Sequence, residues 1–141
     1  MKFTHTQVRQ LRLRYTFPMR TINIAQKLSL FSDHFSPKIV GQVNDLHVKI
    51  TKMKGEFMWH HHDREDEMFL IVKGTLHMKI RENGAEREEL IHPGEFIIIP
   101  HGVEHFPFAD EEVHMMLIEP KETLNTGNLK NERTVEKLQT I

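Results

Sequence analysis

From Leu46 onward, short apolar segments alternate with turn formers. Residues 46–53, 56–62, 67–73, 75–81, 96–99, 104–108 and 113–118 have strand length and are rich in β-branched or aromatic side chains. Gly55, Gly74, Asn83-Gly84, Pro93-Gly94, Pro100 with Gly102, and Asp110 punctuate them. Asn83-Gly84, set between Lys79–Arg81 and the acidic stretch Glu86–Glu89, predicts a hairpin. Many short strands at this spacing predict an antiparallel sandwich or barrel. Residues 19–45 differ: turn formers (Ser32, Asp33, Ser36, Pro37, Gly41, Asn44, Asp45) surround short apolar pieces. One short helix is predicted near Ile24 to Phe31, with the rest an entry arm. After Pro120 the chain turns polar, and the spacing of Val135, Leu138 and Ile141 predicts at most a weak C-terminal helix. The chain thus divides into an extension over 1–18, an arm over 19–45, a β-domain over 46–119 and a tail over 120–141.

Composition narrows the class. At 141 residues the chain can close one hydrophobic core. A net charge of -1 gives no general reason to expect nucleic acid or an anionic membrane as partner. The longest apolar run, Phe96 to Pro100, is too short to span a bilayer. With no cysteine there is no disulfide, thiolate metal site or thiol nucleophile, which fits a cytoplasmic protein. The first 18 residues carry Lys2, Arg9, Arg12 and Arg14 and no acid. Such a start fits an extension with Met19 as the functional beginning, or an arm that adds a strand to a neighbouring subunit. A transit peptide is disfavoured by the lack of a clean apolar face or a small-residue cleavage site.

Eleven histidines are the outlier, so any transition-metal chemistry must use imidazole and carboxylate. Three of them are consecutive in Gly55-Glu-Phe-Met-Trp-His60-His-His62-Asp-Arg-Glu-Asp-Glu67, where the candidate chemistry concentrates. Alternate residues of a strand share a face, so His60 and His62 point together and His61 points away. Two imidazoles so placed can meet one metal, and a carboxylate beyond the following turn can complete an arc around it. A second segment, Gly94-Glu-Phe-Ile-Ile-Ile-Pro100-His-Gly102-Val-Glu-His105, reads as a buried apolar strand, a shaped turn and a histidine that swings inward. Such N/O sets suit borderline divalent ions.

Together these segments resemble the cupin family. Its first motif, G-x5-H-x-H-x3-4-E-x6-G, is followed by Gly55, His60, His62, Glu67 and Gly74, except that four residues separate Gly55 from His60. Its second, G-x5-P-x-G-x2-H-x3-N, is matched by Gly94, Pro100, Gly102 and His105, with Ala109 where asparagine is expected. The resemblance covers roughly residues 46–119. It implies an antiparallel jelly-roll β-barrel of six to eight strands with a metal inside its mouth, often as a homodimer. It also selects Glu67 from the cluster Asp63, Glu65, Asp66 and Glu67, because six residues then separate it from Gly74. The implied metal ligands are His60, His62, Glu67 and His105, for one divalent manganese, iron, nickel or zinc ion.

Other residues are weaker candidates. His61 and His77 face away by alternation, and His101 sits in the turn near the rim. His114 shares a face with Met116 and Ile118; if that face lines the cavity, His114 is a supporting or catalytic group, as Glu104 would be. Trp59, Phe57 and Phe69 read as packing residues, while Phe96, Ile98, Phe106 and Phe108 mix core and pocket. Four ligands close a tetrahedral zinc shell but leave two positions on an octahedral ion. Function therefore divides between a metal-dependent oxygenase, isomerase or lyase on a small molecule, a metal-containing sensor or ligand-binding module without turnover, and a purely structural site. An apolar lining with few inward cations disfavours a sugar phosphate. Nothing in the arms fits a helix-turn-helix.

Overall fold

The computed structural model describes residue 2 and residues 17–141; the basic extension falls largely outside the described residues. A single turn of helix, α1 (Ile24–Leu28), is followed by eight strands: β1 (Lys38–Val43), β2 (Leu46–Glu56), β3 (Glu67–Lys73), β4 (Leu76–Glu82), β5 (Ala85–Ile91), β6 (Phe96–Ile99), β7 (Glu104–Pro120) and β8 (Gln139–Thr140). The Asn23 side chain caps α1 by accepting from the Gln26 N–H at 2.9 Å. Asn83 and Gly84 both take positive φ, 51° and 76°, as the tight turn between β4 and β5 requires.

The long β7 organises the sheet. One of its edges pairs antiparallel with β2 along almost its whole length. The other pairs with β4 through Glu104–Phe108 and with β3 through His114–Ile118. The chain therefore forms two layers that share β7: β5-β4-β7 on one side and β6-β3-β7-β2-β1-β8 on the other. This is the expected antiparallel jelly-roll arrangement, with a hydrogen-bonded path that stays open. Gly74 turns β3 into β4 with φ +83°, and a Cβ there would sit 2.7 Å from the Glu112 carbonyl. Only glycine lets the turn lie so close to β7.

The main core lies between the layers and includes Ile71, Leu76, Met78, Val113 and Met115, each at most 1% exposed. Leu76→Ala is expected to destabilise the protein by about 2–5 kcal/mol, since a buried branched side chain leaves a cavity that the sheets cannot fill; a urea midpoint measures it. A second cluster covers the opposite face of the second layer. There Leu28 of α1 packs with Val40 and Ile50, flanked by Val48, Val72, Met116 and Ile141.

Four expectations are corrected. The chain from 38 to 43 is strand β1, because the sheet face of Val40 is covered by α1. Residues 104–120 run as one strand through Asp110, whose break is reduced to three exposed residues, Asp110 to Glu112. The tail forms no helix: its end pairs with β1 as β8, and Ile141 enters the second cluster. Finally β6 is not fully buried, since Phe96 and Ile98 are more than half exposed while Ile99 points into the core.

Candidate metal centre

Beyond Glu56 the chain leaves regular pairing but keeps beside β7. The Phe57 N–H donates to the Pro107 carbonyl at 3.0 Å, and His60 and His105 exchange main-chain hydrogen bonds at 3.1 and 2.9 Å. This bridge replaces the strand expected over 56–62. It sets the His60 and His105 rings 4.2 Å apart between centroids. The His62 ring stands 5.3 Å from that of His60 at 86°, so the two share a side as alternation requires. Gly102 N–H donates to the His62 carbonyl at 2.7 Å and ties the two sequence segments together. Glu67 enters as the first residue of β3, opposite Ile99.

One ligand atom from each of His60, His62, Glu67 and His105 lies within 4.8 Å of all the others, and all four residues are buried. The chemistry of these atoms fits a cation. His60 Nδ1 donates to the Met58 carbonyl at 3.0 Å and His105 Nδ1 to the Val103 carbonyl at 2.9 Å. A carbonyl only accepts, so both rings carry their proton on Nδ1 and turn an Nε2 lone pair to the centre when neutral. His105 Nε2 lies 3.3 Å from Glu67 Oε2 yet has no hydrogen-bond partner. A lone pair facing a carboxylate oxygen is unfavourable unless a positive charge lies between them. The cluster can hold a metal ion.

Electrostatics agree. Burial, with the neighbouring His105 charge, pushes His60 down to about 4, so its imidazole is neutral at pH 7. Burial opposes ionisation of Glu67, but the nearby His105 and His62 rings and their charges hold it well below the usual carboxylate range. Both shifts are downward, so in metal-free protein both contribute stability that is present at neutral pH and lost on acidification. The loss begins as pH falls below the ordinary histidine value of 6.5 and the His60 part is complete near 4. It is expected to be about 3 kcal/mol, read from urea midpoints of chelator-treated protein at pH 7 and pH 4.5.

The other candidates lie elsewhere. His61 Nε2 contacts Asp63 Oδ1 at 2.9 Å, and exposed His101 Nδ1 contacts Asp66 Oδ1 at 2.8 Å. His77 stacks on Phe108 with centroids 4.5 Å apart, outside the core, and Phe106 also lies on that outer side, 5.6 Å from Trp59. Glu104 is exposed beside Arg81, at 3.7 Å. His114 Nε2 contacts Glu112 Oε1 at 2.6 Å on the outer face of β7. Neither Glu104 nor His114 is brought to the cluster.

A Cupin domain family profile (Cupin_2) matches residues 47–119, just over half of the chain. The chain belongs to the cupin family. It is 29% identical over 66 residues to the uncharacterized protein YdbB of Bacillus subtilis, a match that covers 47% of this chain and 56% of YdbB. The chain thus spans little more than half of that relative. A cupin-2 domain containing protein from Shewanella frigidimarina shares 42% identity and superposes with a TM-score of 0.67, covering 72% of this chain and 95% of its own. Protein NMB1881 from Neisseria meningitidis shares 25% identity with a TM-score of 0.63, covering 72% of this chain and all of its own.

In this cupin a partly open cavity of about 50 Å³ adjoins the cluster, and His60 and Glu67 form part of its wall. Its other walls are mainly apolar, among them Phe35, Phe57, Phe69, Met115 and Leu117. Phe35 stacks on Phe57 with centroids 5.6 Å apart. Glu119 also borders the cavity, and its Oε1 accepts from Lys49 Nζ at 2.6 Å, both residues being at most 2% exposed. Burial pushes the Glu119 carboxyl well above the usual range, as does the Glu67 charge, with Lys49 opposing them. Glu119 and Lys49 carry no motif, but alternation counted from His105 along β7 leads through Val113, Met115 and Leu117 to Glu119.

The tail closes this side of the protein. Asn128 N–H donates to the His61 carbonyl at 2.9 Å, and the His61 N–H donates to Asn128 Oδ1 at 3.0 Å. Arg133 donates to the Glu56 carbonyl at 2.7 Å and lies over the Phe35 ring at 4.6 Å. Fully buried Thr126 anchors the segment by donating to the Leu129 carbonyl at 2.6 Å. The tail thus grips the residues on either side of His60 and places Asn125 in the cavity wall.

Proposed function

We propose that this cupin binds one divalent transition-metal ion through His60, His62, Glu67 and His105 and uses it on a small, mainly apolar molecule held in the adjoining cavity. One observation carries the reading: two of the four clustered side chains, His60 and Glu67, are also cavity wall. A purely structural site would have no need to border such a space. When bound, a manganese, iron or nickel ion keeps positions beyond the four side chains and supplies Lewis-acid or redox chemistry there. The chain's own contribution is to hold His60 and His105 in the Nδ1-protonated tautomer, keep Glu67 ionised and exclude bulk water with the aromatic wall. Among the described residues no lysine or arginine lines the cavity, and Lys49 behind its wall is committed to Glu119, which supports an uncharged or weakly polar ligand over a sugar phosphate.

Metal analysis of protein purified without a chelating tag tests this. Close to one ion of manganese, iron or nickel per chain is expected, with turnover of a small apolar substrate, for example oxygen uptake by the iron form. Less than a tenth of an ion of any transition metal would overturn the reading. Stoichiometric zinc without effect on any reaction would assign the site to the structural or sensor class. No helix among the described residues is long and apolar enough to cross a membrane. We place the protein in the cytoplasm, on its lack of cysteine, and as a homodimer; a monomeric mass by light scattering would refute the dimer.

A further inference from the structure

The cavity beside the metal cluster is small. An apolar space of about 150 Å³ is enough to hold benzene, whereas this one measures about 50 Å³. Strands β2, β3 and β7 supply most of its walls and are fixed by sheet pairing. Phe35 comes instead from the arm, where its neighbours Ser32 to His34 are exposed and no regular structure holds the chain. Its backbone has φ +57°. The other non-glycine residues at positive φ among the described residues, Asn44 and Asn83, are of a type that tolerates it. A phenylalanine is not, so the chain bears backbone strain to place this ring. Several contacts keep it there. The Phe35 N–H donates to the Lys52 carbonyl at 2.9 Å. Lys38 Nζ donates to Asp33 Oδ2 at 2.7 Å and to Ser36 Oγ at 3.1 Å, and so clasps the chain on both sides of His34 and Phe35. His34 Nε2 contacts Glu112 Oε2 at 2.8 Å, and the other oxygen of that carboxylate is held by His114. The ring itself stacks on Phe57, and the Arg133 guanidinium lies over it.

We propose that Phe35 is the size filter of the cavity: it admits to the metal centre only molecules of small cross-section and keeps out one as wide as a single ring. Filling a half-buried gap does not demand a strained backbone, whereas setting a wall at a fixed distance from the other walls does. Strain held by so many contacts marks a position that function fixes. With about a third of the space that benzene needs, the cavity takes a few heavy atoms, or the end of an unbranched chain whose remainder projects through the open side. The inference rests on the reading that the cavity holds the ligand of the metal centre, and sets the size class of that ligand.

Xenon and benzene are apolar probes that differ in cross-section, and an apolar cavity of about 150 Å³ takes either. Binding of each is measured by NMR on the protein as purified and after chelation, with metal content determined in parallel. Wild type is expected to take up xenon and to leave benzene unbound. Phe35→Gly removes the ring and suits the left-handed backbone, and is expected to bind benzene at least roughly tenfold more tightly than wild type. Phe35→Leu retains most of the volume and is expected to exclude benzene as wild type does. Circular dichroism checks that the variants are folded; if Phe35→Gly is not, Phe35→Ala takes its place. Benzene bound by wild type as tightly as by the folded glycine or alanine variant, benzene bound by neither, or no uptake of xenon by wild type would overturn the inference. Benzene bound as tightly by Phe35→Leu as by Phe35→Gly would overturn it too, since a loosened arm rather than lost ring volume would then explain the binding. Size exclusion that depends on Phe35 in protein lacking any metal would uphold the filter while refuting the metal-dependent function. Metal-loaded protein in which wild type and variant take up benzene alike would do the reverse.

Discussion

His62→Ala is expected to weaken metal binding by more than the ~100-fold typical of losing a group that merely supports a ligand, while the protein stays folded. His62 Nε2 lies 3.0 Å from Glu67 Oε2 at the centre of the cluster, so its loss removes a ligand and frees the carboxylate that a second ligand must hold in place. The fold survives because His62 belongs to a turn between β2 and β3 and contributes nothing to the main core around Ile71, Leu76 and Met78. The cost to the metal-free protein is that of a buried carboxylate deprived of one donor, about 1–3 kcal/mol. Metal analysis after exposure to equimolar ion, with circular dichroism alongside, reads both effects. His114→Ala is the matched control: its ring lies on the outer face of β7 beside Glu112 and its loss should leave metal content unchanged. A His62→Ala protein that keeps close to one ion per chain, or that is unfolded at room temperature, would contradict this account.

The contrast between His62 and His114 shows what the sequence could and could not convey. His60 and His62 were legible by alternation and His105 by its proline- and glycine-shaped turn, while Glu67 was singled out of an acidic cluster only by the spacing to Gly74 that the cupin resemblance implies. The face of β7 that lines the cavity was not legible. Met116 and Ile118 look as apolar as Met115 and Leu117, because the outer sheet face is covered by α1 and Ile141 and carries hydrophobic side chains too. A strand buried on both faces has no apolar–polar period to read. The same cover makes β2 bury five successive residues, Lys49 to Met53, and hides that Lys49 points inward. Counting from His105 resolves the phase, since residues 105 and 119 share a parity and Asp110 does not break the strand.

The tail was less legible still. Its polar composition and scattered apolar residues predict little beyond a weak helix, yet Thr126 is fully buried and Asn128 hydrogen-bonds both main-chain groups of His61. Its contacts are to the backbone of residues far away in sequence, which leave no trace in hydrophobic periodicity. Such a segment stabilises the region it grips mainly by removing conformational freedom from a stretch that lacks regular pairing. Residues 57–59 are that stretch, and His60 ends it.

Gly127→Ala therefore makes the second large prediction. Gly127 has φ +59°, and a Cβ there would lie 2.2 Å from the His61 carbonyl oxygen, 2.9 Å from its carbon and 3.2 Å from His60 Cδ2. No real contact is so short, so the tail must lift away or the His60–His61 backbone must move. Either outcome breaks the paired Asn128–His61 hydrogen bonds and disturbs a metal ligand at its main chain. A destabilisation of about 2–4 kcal/mol is expected, with metal affinity reduced roughly tenfold or more and new protease cleavage within residues 121–134. Gly84→Ala separates the causes. Gly84 has φ +76° but nothing within 4 Å of the added Cβ, so it imposes the left-handed strain alone. It should cost about 1 kcal/mol without touching metal affinity. If Gly127→Ala proves no worse than Gly84→Ala in urea midpoint, metal titration and proteolysis, the tail does not hold His60 in place. If only Gly127→Ala lowers metal affinity, the tail is part of the metal centre although it supplies no ligand to it.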